Sequence, residues 1–391
     1  MRKCMKSKKQ KTIPILEFLK KEPMLTISVP VAIISLFITP PKADFFTQID
    51  WHTLGTLFMM LCVLEGFKQE NIFRPIIRFS RKFHLQFVLS LFLVFGVFFT
   101  SMFVTNDVSL IIFVPLTILL FRAGGKEHYI LPVITMENIA AIRGSLLMPF
   151  GSPQNLFFFE QSGMSAASFI VMMAPLCVMS GVLLVLFLLV LYRKNPKEVI
   201  EMNTDEICGE WEKKYRPRRI GYMILFVLIL WTIVSRTKLW PFAIVIVIIT
   251  IAILNIKLFF KVDYVLLVTF LCFFIFSSSI ANNPSISAFL TKAVAGNEYF
   301  GIILLSQAIS NVPATIVLYP FAENLIALLY GADTAGLCSL IGSLASIINY
   351  RIYVREYPEN GKKFILTFTI ISWIFFLIVV LPGYLLAYLV Q

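Results

Sequence analysis

Two long apolar blocks, 85–121 and 299–330, are each broken near the middle by the same kind of polar step. The first break reads Thr105-Asn106-Asp107 and the second Ser310-Asn311-Val312-Pro313. In both, a hydroxyl residue precedes Asn, an apolar run follows, and a proline stands nine residues after the Asn, at Pro115 and Pro320. The two asparagines lie 205 residues apart. Hydrocarbon offers no hydrogen bonds, so backbone that leaves a helix at membrane depth must be satisfied by protein, water or a bound ion. Paired interruptions at matching places in two halves therefore point to a transport site.

The rest of the chain supports a membrane setting. Of 391 residues, 58% are hydrophobic and only 14% charged, which predicts an all-α integral membrane protein of many spans in the lipid bilayer. The net charge of +12 would suit a nucleic-acid binder, but the basic residues sit in short connections between apolar runs, so no nucleic-acid partner is expected. Cys4, Cys62, Cys177, Cys208, Cys272 and Cys338 are scattered without CxxC spacing, and His52, His84 and His128 are isolated. No metal site or cofactor follows from them. No HExxH, Ser/His pair or aspartyl pair supports an intramembrane enzyme, and nothing resembles a channel filter. The lysine-rich 1–23 lacks a short apolar region with a cleavage site and reads as a cytoplasmic tail.

Nine spans are predicted: 24–38, 51–67, 128–159 (interrupted), 167–192, 220–235, 241–256, 264–280, 336–350 with its flanks, and 364–388. The blocks 85–121 and 299–330 are either two crossings each or re-entrant hairpins with tips at the Asn. A Thr-Asn-Asp tip in lipid is costly unless it lines a cavity, which favours hairpins. With that arrangement 29 of the 34 Lys and Arg residues fall on one side. That side is the cytoplasm by the positive-inside rule, and it receives the N-terminus and the polar linker 193–219. Lys42, Arg236, Lys238 and Lys292 fall outside, and Arg143 lies within a span.

The halves correspond beyond the tips. Ile49-Asp50-Trp51 opens one span and Val262-Asp263-Tyr264 another. Five spans separate the starts of the two copies, and an odd number inverts the second. The chain divides into a tail 1–23, a first inverted repeat 24–192, a linker with a connecting helix 193–240, and a second inverted repeat 241–391.

Gly151-Ser152-Pro153-Gln154-Asn155 interrupts the span 128–159, because proline removes a donor and displaces the residue before it from helical geometry. Its counterpart is Gly342-Ser343 with Ser346, small residues whose oxygens can ligate an ion or permit close packing. Asp107 is the one ionisable group at either tip, and an intramembrane carboxylate is a functional candidate. It suits a Na⁺ ligand or a proton carrier. Glu137 and Arg143 share a span, and Arg143 can neutralise Asp107 or Glu137 or meet an anionic substrate. Glu65, Glu160 and Glu323 lie near span ends and read as interfacial.

The sequences Thr-Asn-Asp-Val-Ser-Leu (105–110), Gly-Ser-Pro-Gln-Asn-Leu (151–156) and Ser-Gln-Ala-Ile-Ser-Asn-Val-Pro-Ala (306–314) resemble the ion transporter superfamily. Its citrate-transporter-like and arsenite-permease-like branches are most similar, and the divalent anion/sodium symporters more distant. The resemblance implies two inverted repeats, each with a re-entrant hairpin and a broken helix, and a homodimer that works by an elevator motion. It also implies Na⁺ and carboxylate binding at tips that read Ser-Asn-Thr in the symporters. Here the matching residues are Thr105-Asn106-Asp107 and Ser310-Asn311-Val312, so neither tip keeps the final Thr. The Asn-Asp tip is closer to the arsenite and Na⁺/H⁺ antiporter branches.

The resulting expectation is a multi-pass secondary transporter of the plasma membrane, of bacterial inner-membrane type. It moves a small, anionic solute coupled to Na⁺ or H⁺. Thr105, Asn106, Asp107, Gly151, Ser152, Pro153, Gln154, Asn155, Ser310, Asn311, Val312, Pro313, Gly342, Ser343 and Ser346 form the site. Transient Na⁺ is expected at Asn106, Asp107 and Asn311. The alternatives are a Na⁺/H⁺ antiporter and an arsenite-type efflux permease.

Overall fold

The computed structural model describes residues 23–41, 45–47, 49–70, 72, 79, 83–200, 216–235 and 239–389. The tail 1–22, the middle of the linker, Lys42, Arg236 and Lys238 lie outside the described residues. Sixteen α-helices account for most of the described chain, and no sheet forms among those residues; Leu85 and Val199 make one isolated bridge. The helices are α1 (Pro23–Ile38), α2 (Trp51–Gln69), α3 (Gln86–Val104), α4 (Asn106–Ala123), α5 (Ile130–Gly144), α6 (Pro153–Ser162), α7 (Ala166–Leu191) and α8 (Arg216–Ser235). They continue with α9 (Trp240–Asn255), α10 (Tyr264–Ala281), α11 (Pro284–Val294), α12 (Glu298–Ile309), α13 (Asn311–Leu318), α14 (Leu325–Ala335), α15 (Leu344–Glu356) and α16 (Gly361–Leu389).

Local chemistry sets the same start for α2 and α10. Asp50 and Asp263 hold nearly identical backbone angles (φ −75° and −77°, ψ 80° in both), and each carboxylate accepts from the backbone N–H three residues on. Such a cap is worth roughly 1 kcal/mol. The correspondence read from Asp50 and Asp263 is thus a correspondence of geometry.

Each apolar block folds into a helical hairpin joined by one residue. That residue is Thr105 or Ser310, not the asparagine, which opens the returning helix. Thr105 has φ 72°, ψ 156° and Ser310 φ 69°, ψ 158°. They are the only non-glycine residues with positive φ among those described. This region is almost reserved for glycine and costs on the order of 1–3 kcal/mol. The side chains Thr100 and Ser109 hydrogen-bond at 3.0 Å across the first hairpin, holding α3 against α4. In the second hairpin α12 has 12 residues and α13 has 8. At 1.5 Å per residue neither helix by itself reaches across ~30 Å of hydrocarbon.

Two long-range breaks follow. The first is the stretch 145–152 between α5 and α6, the second 336–343 between α14 and α15. Pro153 is the first residue of α6, where a missing N–H costs nothing, so it starts a half-helix instead of kinking one. Gln154, Asn155 and Ser346 are likewise helical and lie just past the unwound segments. Each break closes on a glycine. A Cβ on Gly151 would stand 2.3 Å from the carbonyl oxygen of Ser145, and one on Gly342 2.5 Å from that of Ala335. Ser152 and Ser343 then enter the next helix with similar extended backbones (φ −145° and −147°).

Three boundaries differ from those read in the sequence. The broken helix of the second half begins at Leu325, not at Gly336, because no proline marks its break. Segment 193–200 is mostly exposed, as a solvated linker would be, but its end is tied down: Gln86 donates to Glu198 O and Ile200 to His84 O, and Lys126 pairs with Glu198. Finally, seven described helices are long and apolar enough to cross a membrane, or eight if the bent pair α11–α12 counts as one. Five of the nine expected spans are among the seven; short α1, α2 and the two broken spans are not, and the other two are α3 and α4, the arms of the first hairpin.

Candidate functional site

Eight helix ends meet at the tips and breaks. The C-termini of α3, α12, α5 and α14 stop there, and the N-termini of α4, α13, α6 and α15 start there. Carbonyl ends favour cations, and N–H ends favour anions. A cavity of about 150 Å³ opens against three of those N-termini. Its walls include Asp107 of α4, Val312 and Pro313 of α13, and Leu344 of α15. Thr269 and Phe270 of α10 close one side, and Asp263 and Arg351 stand at the mouth. Asp107 is partly exposed, while Asp263 and Arg351 are exposed. One carboxylate oxygen of Asp107 is buried without a hydrogen-bond partner.

The other sequence-derived residues do not line this cavity. Asn106 is buried, and its side-chain oxygen accepts from the Asp107 N–H at 2.9 Å. Asn311 donates from its backbone to Gly342 O at 3.2 Å and from its amide to Ala332 O at 3.3 Å. The second tip is thereby tied to the second break. Asn155 donates its amide to Ser145 O (3.1 Å) and Leu146 O (3.2 Å), so it satisfies the carbonyls freed at the first break. Ser152 caps α6 through the Asn155 N–H. These contacts give Asn155 and Asn311 the work of holding unwound backbone.

Arg143 does not meet Asp107 or Glu137. Its guanidinium donates to Ser180 Oγ (2.8 Å) and to Asp333 O (3.2 Å), deep between α5, α7 and α14. Asp333 was not among the sequence candidates. It is buried in α14, and its carboxylate accepts from Gln154 Nε2 at 2.9 Å. Glu137 is also fully buried and is joined by Thr117 Oγ1 of α4. Near it Asn138 donates to Ser346 Oγ at 3.0 Å and Asn349 to Ile134 O at 2.7 Å. Glu160 pairs with His52 at 3.0 Å and Glu65 with Lys68 at 3.6 Å, both at helix ends. Glu298, also unlisted by sequence reasoning, accepts the backbone N–H groups of Glu323 and Asn324. No cluster of three metal-ligating side chains occurs among the described residues.

Arg351 and Asp263 were legible only as a basic residue near a helix end and as a helix cap. Asp333 had a signal, an acid next to an apolar stretch, but it fell in the gap between the block 299–330 and the span read as 336–350.

A family of known sequences matches this arrangement over most of its length. The sequence profile described as "Citrate transporter" covers residues 18–327. The chain belongs to the citrate transporter family. Inner membrane protein YbiR of Escherichia coli (strain K12) is 32% identical over 346 residues, covering 87% of this chain and 90% of that protein. Uncharacterized transporter MJ0456 of Methanocaldococcus jannaschii is 29% identical over 367 residues, 92% and 96% of the two chains. The citrate transporter family match takes in both tips and the first break; α15 and α16 lie beyond it. This member is therefore a multi-pass membrane transporter and not an enzyme.

Proposed function

We propose that the protein is a secondary active transporter that moves a small anionic solute through the cavity between the two tips, coupled to Na⁺ or H⁺. The observation that carries this is the convergence of the α4, α13 and α15 N-termini with Asp107 on one cavity whose mouth holds Arg351. Helix N-termini and Arg351 attract an anion. Asp107 repels it unless a cation or proton neutralises the carboxylate, so solute and coupling ion bind together.

The matched caps, tips and breaks support two inverted repeats, 24–192 and 241–391, joined by 193–240. Charge bias puts the N-terminus and the Asp263–Arg351 mouth on the cytoplasmic side of a plasma membrane of bacterial inner-membrane type. In this reading the cavity is open inward. The tips, breaks, α7 and α16 move as a body against α1, α2, α8, α9 and α10 in an elevator motion, within a homodimer.

A second reading is favoured by the pair of acids Asp107 and Asp263 against a single arginine on the cavity wall. That balance suits a Na⁺/H⁺ antiporter; an arsenite-type oxyanion efflux permease is the other alternative. Purified protein in liposomes distinguishes these. Citrate, succinate or sulfate accumulation under an imposed Na⁺ or pH gradient supports the first reading. Na⁺/H⁺ exchange without any anion, or arsenite movement alone, rejects it.

A further inference from the structure

The two halves close the same helix crossing with opposite chemistry. The C-caps Ser145 and Gly336 and the N-caps Ser152 and Ser343 are separated equally in the sequence. In that register Glu137, Asn138 and Asn349 correspond to Leu328, Leu329 and Phe158. All six are fully buried. The fold thus needs no polar group at these three positions, since the opposite half fills them with apolar side chains. A polar cluster there costs burial free energy and calls for a function.

The cluster lies among α4, α5 and α15. Asn349 is bonded to Ile134 O and Asn138 to Ser346, one helical turn apart, and Glu137 sits on the turn between those rungs. Thr117 of α4 reaches one carboxylate oxygen. Three buried atoms have no hydrogen-bond partner: Glu137 Oε2, Asn138 Oδ1 and Asn349 Oδ1. All are acceptors, so the site lacks a donor or a cation.

No charge nearby supplies it. The helices packed against α5 are α3, α4, α7, α15 and α16, with the short turn Glu127–Tyr129. Among these, α3 and α7 carry no charged side chain, and Cys177 of α7 faces Arg143. The charged groups of the others are Asp107 and Arg122, at the two ends of α4, and Arg351, Arg355 and Glu356 toward the end of α15. Lys362 and Lys363 open α16, and Glu127 and His128 precede α5. Arg143 is nearly two turns along α5, committed to Ser180 and Asp333 O. An ionised carboxylate without a partner at this depth is among the costliest groups a membrane protein can hold.

We propose that Glu137, with Thr117, Asn138 and Asn349, is a proton-binding site separate from Asp107. A proton fits better than an alkali cation because Glu137 lines none of the described cavities, and a proton needs only a hydrogen-bonded path. The proton on Glu137 removes the uncompensated charge and turns one unpartnered acceptor of the cluster into a donor. The site adds a second titrating group to the transporter reading above, on which its role in transport rests.

Infrared difference spectra of the purified protein in lipid, acid minus alkaline, test the site without any transport measurement. The expected result is a carbonyl band of a protonated carboxylic acid that is lost in both Glu137→Gln and Glu137→Leu. The same band remains in Asp107→Asn and shifts to higher frequency in Thr117→Val, which removes one hydrogen bond. Leucine is the residue at the matching place in the other half, so Glu137→Leu is expected to fold. Sodium at constant pH leaves the wild-type band in place. Absence of the band, its survival in both Glu137 variants, or its removal by sodium overturns the proposal. None of these outcomes bears on Asp107, whose role is tested by transport.

Discussion

Gln154 Nε2 donates to Asp333 Oδ1 at 2.9 Å, joining the first turn of α6 to the last turn of α14. In the matching place of the opposite half stand Ala345 and Ile142, both buried and apolar. The bond therefore belongs to this pair alone and not to the architecture. It also fixes Asp333 within reach of the field of Arg143, whose guanidinium holds the Asp333 carbonyl.

The first prediction concerns that cluster. Asp333→Ile leaves Arg143 buried without a counter-charge and Gln154 without an acceptor. The Arg143 contact to the residue 333 carbonyl survives, so the cost is chiefly the unsatisfied Gln154 amide and the lost field of the carboxylate, about 1–3 kcal/mol. Adding Arg143→Leu to Asp333→Ile is expected to recover part of the loss. Denaturation midpoints of the single and double variants in detergent check this. Additive losses would mean that the two residues act independently.

The second concerns the tips. Thr105→Gly relieves a backbone conformation that costs on the order of 1–3 kcal/mol, although glycine also gains freedom in the unfolded chain. A net gain of roughly 1 kcal/mol is expected, and Thr105→Ile, with a β-branched side chain that no longer offers a hydroxyl, gives none. Ser310→Gly behaves like Thr105→Gly because the two residues share φ and ψ to within a few degrees. The thermal unfolding of the three variants reads this out.

How much of this was legible depended on punctuation. Thr105-Asn106 and Ser310-Asn311 stood out because a polar step in a long apolar run has no lipid-facing explanation. Pro153 announced the first break for the same reason. The second break has no proline, so α14 was merged with the hairpin before it and Asp333 disappeared at the seam. Arg143 was visible as a charge in a span, but its partners come from α7 and α14, and no local spacing encodes contacts across 37 and 190 positions. Arg351 looked like one more positive charge at a helix end, because only the packing of α15 against α4 brings it to the cavity mouth. The tip residues themselves were displaced by one: the hydroxyl, not the asparagine, turns the chain, since asparagine can open the returning helix.

The third prediction concerns Arg351. It stands at the exposed mouth, where it raises the local concentration of an anion more than it holds one. Arg351→Gln is expected to raise the apparent KM for the anion by about 3- to 10-fold, with a weaker dependence on ionic strength and little change in maximal rate. Uptake kinetics at low and high salt check it. A change confined to the maximal rate would move Arg351 out of the capture step.

The central claim is that Asp107 neutralisation couples the ion to the solute. Asp107→Asn keeps the shape of the tip and removes the charge. The most direct measurement compares two assays of the same proteoliposomes: accumulation driven by a Na⁺ or pH gradient, and solute counterflow without a gradient. The account predicts that Asp107→Asn abolishes gradient-driven accumulation while counterflow persists and the protein remains folded. Accumulation with unchanged ion dependence in Asp107→Asn would contradict it.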